Sequence, residues 1–278
     1  SPDGNRIVTA SGDSTLRILD VNEGRCLKVL KHKDEIWTVA ANADFSRIAS
    51  GSCDGKIKIW NPNTGECVKT INGHKDYIQS LVFSPDGKYI VSTDLGSIQI
   101  WEASTGVCLK ILKNRLGFIS SIAFSPDGQR IIGSSYDNII GMIDLKTGKS
   151  LQTLKGHSSL VNSVAYSPDG NYIVSGSSKF NLSHSNKYPR WNSNCVIKIW
   201  DANTGECFQT LEGHTDSVNS VLFSPNGKNI VSGSSDKTIK IWNANTGKCL
   251  QTLEGHSGSV YSIAYSPDGT RIISGSGD

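Results

Sequence analysis

Apolar residues in this chain recur in short alternating runs rather than in stripes three or four residues apart. Val218 to Phe223, Asn229 to Ser232, Ile239 to Trp242 and Cys249 to Leu253 each alternate side-chain character and favour β-branched residues, a pattern that predicts strands. Between them stand Pro225-Asn226-Gly227, Ser235-Asp236-Lys237 and Asn245-Thr246-Gly247, residues suited to tight turns. Four strands joined by such turns predict one small antiparallel sheet. A lone sheet of this size buries too little of its two faces, so several must stack.

The unit is repeated. Ser-Pro-Asp-Gly or a one-letter variant begins at 1, 84, 125, 167, 224 and 266, and Ala43 to Ser46 fills the missing slot. Successive starts are 42, 41, 41, 42, 57 and 42 residues apart, so one copy carries about 15 extra residues. Each unit ends on a second mark: Leu19-Asp20, Trp60-Asn61, Trp101-Glu102, Ile143-Asp144, Trp200-Asp201 and Trp242-Asn243. A third is Gly-His at Gly73-His74, Gly156-His157, Gly213-His214 and Gly255-His256, weakened to Lys31-His32 and lost at Asn114-Arg115.

These marks at this period make the whole of 1–278 resemble the WD-repeat (WD40) family of β-propellers. The resemblance implies an all-β propeller of four-stranded antiparallel blades, six to seven in number, forming one domain. The chain has six first, third and fourth strands but seven second strands, because Arg6 to Ala10 and Arg271 to Ser274 are equivalent. Either Val260 to Tyr265 joins the sheet begun by residues 1–30, closing six blades, or a seventh, incomplete blade exists. Opening at Ser1 inside a repeat and stopping at Asp278 just past a second strand, the sequence reads as a fragment of a seven-bladed parent truncated at both ends.

Composition narrows the function. No apolar run approaches the roughly 18 residues of a membrane span. Twenty-eight basic against 25 acidic residues leave +3, too small and too dispersed to point to nucleic acid or an anionic membrane. Cys26, Cys67, Cys108, Cys207 and Cys249 share one repeat position, at the start of the fourth strand. Counterparts in neighbouring blades lie too far apart to bridge, so free thiols in a reducing, cytoplasmic setting are expected, with no metal and no cofactor.

His214, Ser232 and Asp236 imitate a base, nucleophile and orienting acid. With Trp242 they repeat, at the same spacings, as His32, Ser50, Asp54 and Trp60, whereas acyl transfer needs one activated serine and an oxyanion hole. The resemblance implies that these residues form a buried hydrogen-bond network fixing two loops. Other copies depart from it. Asp94 reads as out of register after a one-residue loss between Ser92 and Trp101, Asn194 takes the aspartate slot beside His157, Ser175 and Trp200, and the first copy offers Thr9, Asp13 and Leu19. In the fourth copy Arg115, Gly133 and Ile143 leave Asp137 alone, which predicts a blade held by apolar packing. Arg115 and Phe118 are there either by drift or to face a partner.

In this family the loops joining strand four to one and strand two to three share the face that meets partners. The extra residues, about 178–193, fall in such a loop of the fifth blade and include Tyr188, Arg190 and Trp191. Aromatics beside basic groups are typical interface anchors, although the same loop also reads as tolerated surface. Around that face Glu35, Trp37, Tyr77, Gln79, Phe118, Tyr136, Leu160, Asn162, Ser217, Asn219 and Tyr261 occupy positions free to vary.

Three functions follow in order. The first is a non-catalytic scaffold that binds a protein or peptide on the loop face, with Trp37, Tyr77, Phe118, Tyr136, Tyr188, Arg190, Trp191 and Tyr261 as candidate contacts. The second is the ligand-sensing propeller of a larger NACHT or NB-ARC signalling ATPase, suggested by the near-identical wording of Leu211-Glu-Gly-His214 and Leu253-Glu-Gly-His256; this chain has no phosphate-binding motif of its own. A propeller enzyme is the third, and the acidic residues, set mostly in Pro-Asp-Gly turns, supply no cluster for it.

Overall fold

The computed structural model describes residues 1–113, 118–179 and 195–278, and every regular element among them is a strand. Sheet one contains β1 (Arg6–Ala10), β2 (Thr15–Asp20) and β3 (Cys26–Lys31). Sheet two contains β4 (Ile36–Ala41), β5 (Ile48–Ser52), β6 (Lys56–Trp60) and β7 (Cys67–Asn72). Sheet three contains β8 (Ser80–Phe83), β9 (Tyr89–Thr93), β10 (Ser97–Glu102) and β11 (Cys108–Lys113). Sheet four contains β12 (Ile119–Phe124), β13 (Arg130–Ser135), β14 (Ile139–Asp144) and β15 (Ser150–Lys155). Sheet five contains β16 (Val161–Tyr166), β17 (Tyr172–Ser177), β18 (Ile197–Asp201) and β19 (Cys207–Leu211). Sheet six contains β20 (Val218–Phe223), β21 (Asn229–Ser234), β22 (Ile239–Asn243) and β23 (Cys249–Leu253), and sheet seven contains β24 (Val260–Tyr265) and β25 (Ile272–Ser276).

The fold is thus the all-β type that the repeat predicts: antiparallel meanders, complete in sheets two to six. Val260–Tyr265 pairs with Ile272–Ser276 rather than with β1, so the second of the two blade counts describes the described residues. The chain divides into two compact units, Ser1–Ile119 and Ser120–Asp278.

Turn chemistry explains the meander. In each Pro-Asp-Gly turn the leading serine donates to the aspartate two residues on, as Ser84 does to Asp86 at 2.6 Å, and that carboxylate accepts the Lys88 N–H at 3.1 Å. Gly87, Gly128, Gly170, Gly227 and Gly269 then take φ near +70°. In sheet two the turn starts one residue before the slot read from the spacing: Asn42 O accepts the Phe45 N–H at 2.9 Å as Ser84 O accepts that of Gly87, so Phe45 rather than Ser46 takes the glycine place, with φ 56 and a buried ring.

Inside each unit the core lies between sheets. Leu16, Ile18 and Leu30 of sheet one pack on Ile36, Phe45, Ile48 and Trp60 of sheet two. Val174, Ile197, Ile199 and Leu211 of sheet five pack on Val218, Val221, Phe223, Ile230 and Trp242 of sheet six. Each such side chain contributes about 1.5–3 kcal/mol when fully buried, so a blade draws its stability from its neighbours.

Close approach requires glycine in the second strand. A Cβ on Gly176 would stand 2.6 Å from Val218 Cγ1, and one on Gly233 would stand 2.7 Å from Val260 Cγ1. The first strands of sheets six and seven each have a free edge, and the preceding sheet satisfies part of it. Val221 N–H donates to Ser163 Oγ at 3.1 Å, Asn162 Nδ2 donates to Val218 O at 3.1 Å, and Asn219 Nδ2 donates to Val260 O at 2.9 Å.

Candidate functional site

The histidine network is complete in sheet six. His214 Nε2 lies 2.7 Å from Ser232 Oγ, Trp242 Nε1 donates to the same oxygen at 2.9 Å, and His214 Nδ1 lies 2.7 Å from Asp236. Asp236 also accepts the Thr215 N–H and the Thr238 hydroxyl. Its carboxyl is held well below the usual range: burial opposes ionisation, but hydrogen bonds from His214 and Thr238 outweigh it. The distances match a nucleophile, base and acid, yet Ser232 has zero exposure and its oxygen is engaged by both rings. A substrate has no approach to it.

Sheet three corrects the sequence reading. Asp94 Oδ2 stands 2.9 Å from His74 Nδ1 while His74 Nε2 meets Ser92 Oγ at 2.6 Å. The lost residue shortens the hairpin between β9 and β10 to a turn in which Asp94 accepts the Gly96 and Ser97 N–H groups, and this tighter turn swings its carboxylate onto the imidazole.

Sheet two differs in the opposite sense. His32, Ser50 and Trp60 join at 2.6 and 2.8 Å, but Asp54 does not bond to His32. Its carboxylate turns to the Ser52 hydroxyl, the Lys56 N–H at 3.2 Å and the Lys56 ammonium at 3.3 Å, leaving His32 Nδ1 buried without a hydrogen bond. Burial, helped by the charge of Lys58, pushes His32 down to about 4. His157 keeps Ser175 at 2.6 Å and, through it, Trp200; its Nδ1 has no hydrogen-bond partner among the described residues, and burial with the charge of Lys198 pushes it down to about 3. Asn194 lies outside the described residues.

In sheet four Gly133 pairs with Gly141, and Ile132, Ile140 and Met142 join the cluster shared with sheet five. Ser134 bonds Ser120 at 2.8 Å. Arg115 lies outside the described residues.

The structure brings two of the candidate contacts together. Trp37, 53% exposed, packs on Tyr77 with ring centroids 5.2 Å apart. Phe118 and Tyr261 are exposed and Tyr136 is half-buried. Tyr188, Arg190 and Trp191 lie outside the described residues. Several positions expected to be free are used internally: Asn162 and Asn219 bridge sheets, Leu160 is buried, and Ser217 accepts the Lys179 N–H at 2.9 Å. Polar side chains as well as aromatic ones fit a variable position, so the sequence did not separate those bonded to the neighbouring sheet from those facing water.

Cys26, Cys53, Cys67, Cys108, Cys207 and Cys249 are free thiols, and no group of three or more metal-ligating side chains converges among the described residues. No helix among them is long and apolar enough to cross a membrane.

The repeats match the family described as WD domain, G-beta repeat, at residues 1–20, 24–61, 65–102, 106–144, 148–201, 205–243 and 247–278. The chain belongs to this family. Individual WD repeats are similar to those of named fungal proteins. Nuclear distribution protein PAC1 of Arthroderma benhamiae is 52% identical over 42 residues, 15% of this chain and 9% of the relative. Vegetative incompatibility protein HET-E-1 of Podospora anserina is 50% identical over 50 residues, 18% of this chain and 4% of the relative. Nuclear distribution protein nudF 2 of Aspergillus clavatus is 46% identical over 43 residues, 16% of this chain and 10% of the relative. The matched part therefore spans at most a tenth of each relative's length.

Proposed function

We propose that this WD-repeat chain is a non-catalytic scaffold that captures a protein or peptide partner on the loop face. The observation that carries the reading is the Trp37–Tyr77 pair, in which an exposed indole packs at a tilt on a half-buried tyrosine ring. Rigid rings lose little conformational entropy on binding and supply large contact area, which suits capture rather than chemistry. Phe118, Tyr136 and Tyr261, with Tyr188, Arg190 and Trp191 of the 178–193 insertion, are further candidate contacts in the same reading. A reducing, cytoplasmic setting accords with the free thiols of Cys26, Cys53, Cys67, Cys108, Cys207 and Cys249. Capture experiments with Trp37→Ala and Tyr77→Ala test it: partner loss at unchanged thermal stability supports the reading, and unchanged capture by both variants removes it.

A second reading, the ligand-sensing array of a larger signalling protein, rests on the near-identical wording of Leu211-Glu-Gly-His214 and Leu253-Glu-Gly-His256. A nucleotide-binding motif encoded upstream in the same gene supports it; an upstream region without one counts against it.

A further inference from the structure

The residue opening the second strand differs between sheets, and one substitution leaves a hole. In sheet one this residue is Arg6, whose guanidinium lies over the Phe45 ring at 4.7 Å. In sheet four it is Arg130, whose guanidinium stands 6.0 Å from the Tyr166 ring centroid and 4.0 Å from Met142 Sδ. Arg130 also acts on Asp127, whose carboxyl is held below its ordinary range by the Ser125 hydroxyl and the Gln129 N–H first and by the arginine charge besides. Sheet four thus carries a slot with an apolar wall, an aromatic wall and a carboxylate, filled by its own arginine.

The next repeat keeps the slot and removes the filling. Ile199 stands for Met142, Phe223 for Tyr166 and Asp169 for Asp127, while Tyr172 replaces Arg130. A cavity of about 300 Å³ opens there, lined by Ile199, Phe223, Tyr172, Phe208, Asp169 and Lys228 among others. Tyr172 and Phe208, 38% and 58% exposed, face each other at 6.0 Å across its rim. A tyrosine ring is too short and stiff to reach where the Arg130 guanidinium reaches.

We propose that this cavity between sheets five and six binds the guanidinium of an arginine side chain supplied by a protein partner. A planar, weakly hydrated cation stacks on aromatic faces while its N–H fork reaches a carboxylate, which a lysine ammonium does less well. The volume is at the small end of ligand sites and suits one side chain. Lys228 on the rim opposes a second cation, so its removal strengthens binding. The site lies at the Pro-Asp-Gly ends of its strands, away from the loops of the proposed scaffold face, and stands or falls independently of that reading.

The test uses the whole chain and the tripeptides Gly-Arg-Gly and Gly-Lys-Gly, followed by NMR of the Tyr172 and Phe208 rings. Gly-Arg-Gly is expected to shift both rings saturably, with an affinity about threefold or more above that of Gly-Lys-Gly. Asp169→Asn removes the charge but keeps the turn, because Asn226 already makes the equivalent serine bond at 2.8 Å in sheet six. This variant is expected to lose about threefold or more in affinity, and Lys228→Ala to gain. Tyr172→Arg refills the slot from within and is expected to abolish binding without lowering the melting temperature. Absence of a saturable shift, an equal response to both tripeptides, or full binding by a folded Tyr172→Arg variant overturns the proposal.

Discussion

Asp236 closes on His214 at 2.7 Å, whereas its counterpart Asp54 leaves His32 Nδ1 without a hydrogen bond. Two copies of one motif therefore differ in what their carboxylates hold. Asp236→Ala strips partners from a buried imidazole, the Thr215 N–H and the Thr238 hydroxyl, and is expected to cost about 1–3 kcal/mol. Asp54→Ala removes turn bonds and a partly buried ion pair without touching the imidazole, and is expected to cost less, about 1 kcal/mol. Urea unfolding of both variants checks the order.

Gly233 is a point of close approach between sheets six and seven. Gly233→Ala sets a methyl group against Val260 and is expected to cost about 1–3 kcal/mol, as overpacking does. Gly12 has open space where a Cβ would stand, so Gly12→Ala should unfold at nearly the parent temperature. Calorimetry of the pair separates packing from the general effect of replacing glycine.

Much of this architecture was legible because each copy votes on the same pattern. The strands of sheet six begin where the alternation begins, and the Pro-Asp-Gly turns lie where predicted. Orientation within the repeat was less legible. The bulge after Val161 and Val218 turns Asn162 and Asn219 toward the next sheet, and a one-residue shift of this kind leaves no mark in polarity. Asp94 was misread for a related reason: spacing along the chain gave its position in sequence, while the tighter turn decided its position in space. The slot filled by Arg130 was invisible until its neighbours were placed.

Acid should weaken the fold through histidine before most carboxylates titrate. Unfolded histidine titrates near 6.5, whereas His32 and His157 are pushed down to about 4 and about 3. The unfolded chain binds more protons in that interval, so the stability from neutral imidazoles is complete above pH 6.5 and is lost as pH falls toward 4 and then 3. His157→Gln should flatten the fall at pH 5 by about 1.4 kcal/mol per pH unit, measured by urea unfolding across pH 7 to 4.

Thiol reactivity should follow exposure. Cys26, Cys67, Cys207 and Cys249 are exposed, while burial pushes the Cys195 thiol up to about 11. Maleimide labelling at pH 7 with peptide mapping should modify the exposed four about tenfold or more faster than Cys195.

The most direct measurement of the binding claim is affinity capture from the native host with the parent chain as bait, set beside a Trp37→Ala/Tyr77→Ala variant of equal melting temperature. The account predicts a partner held by the parent and lost with the variant. The same partner retained at the same level by both contradicts it.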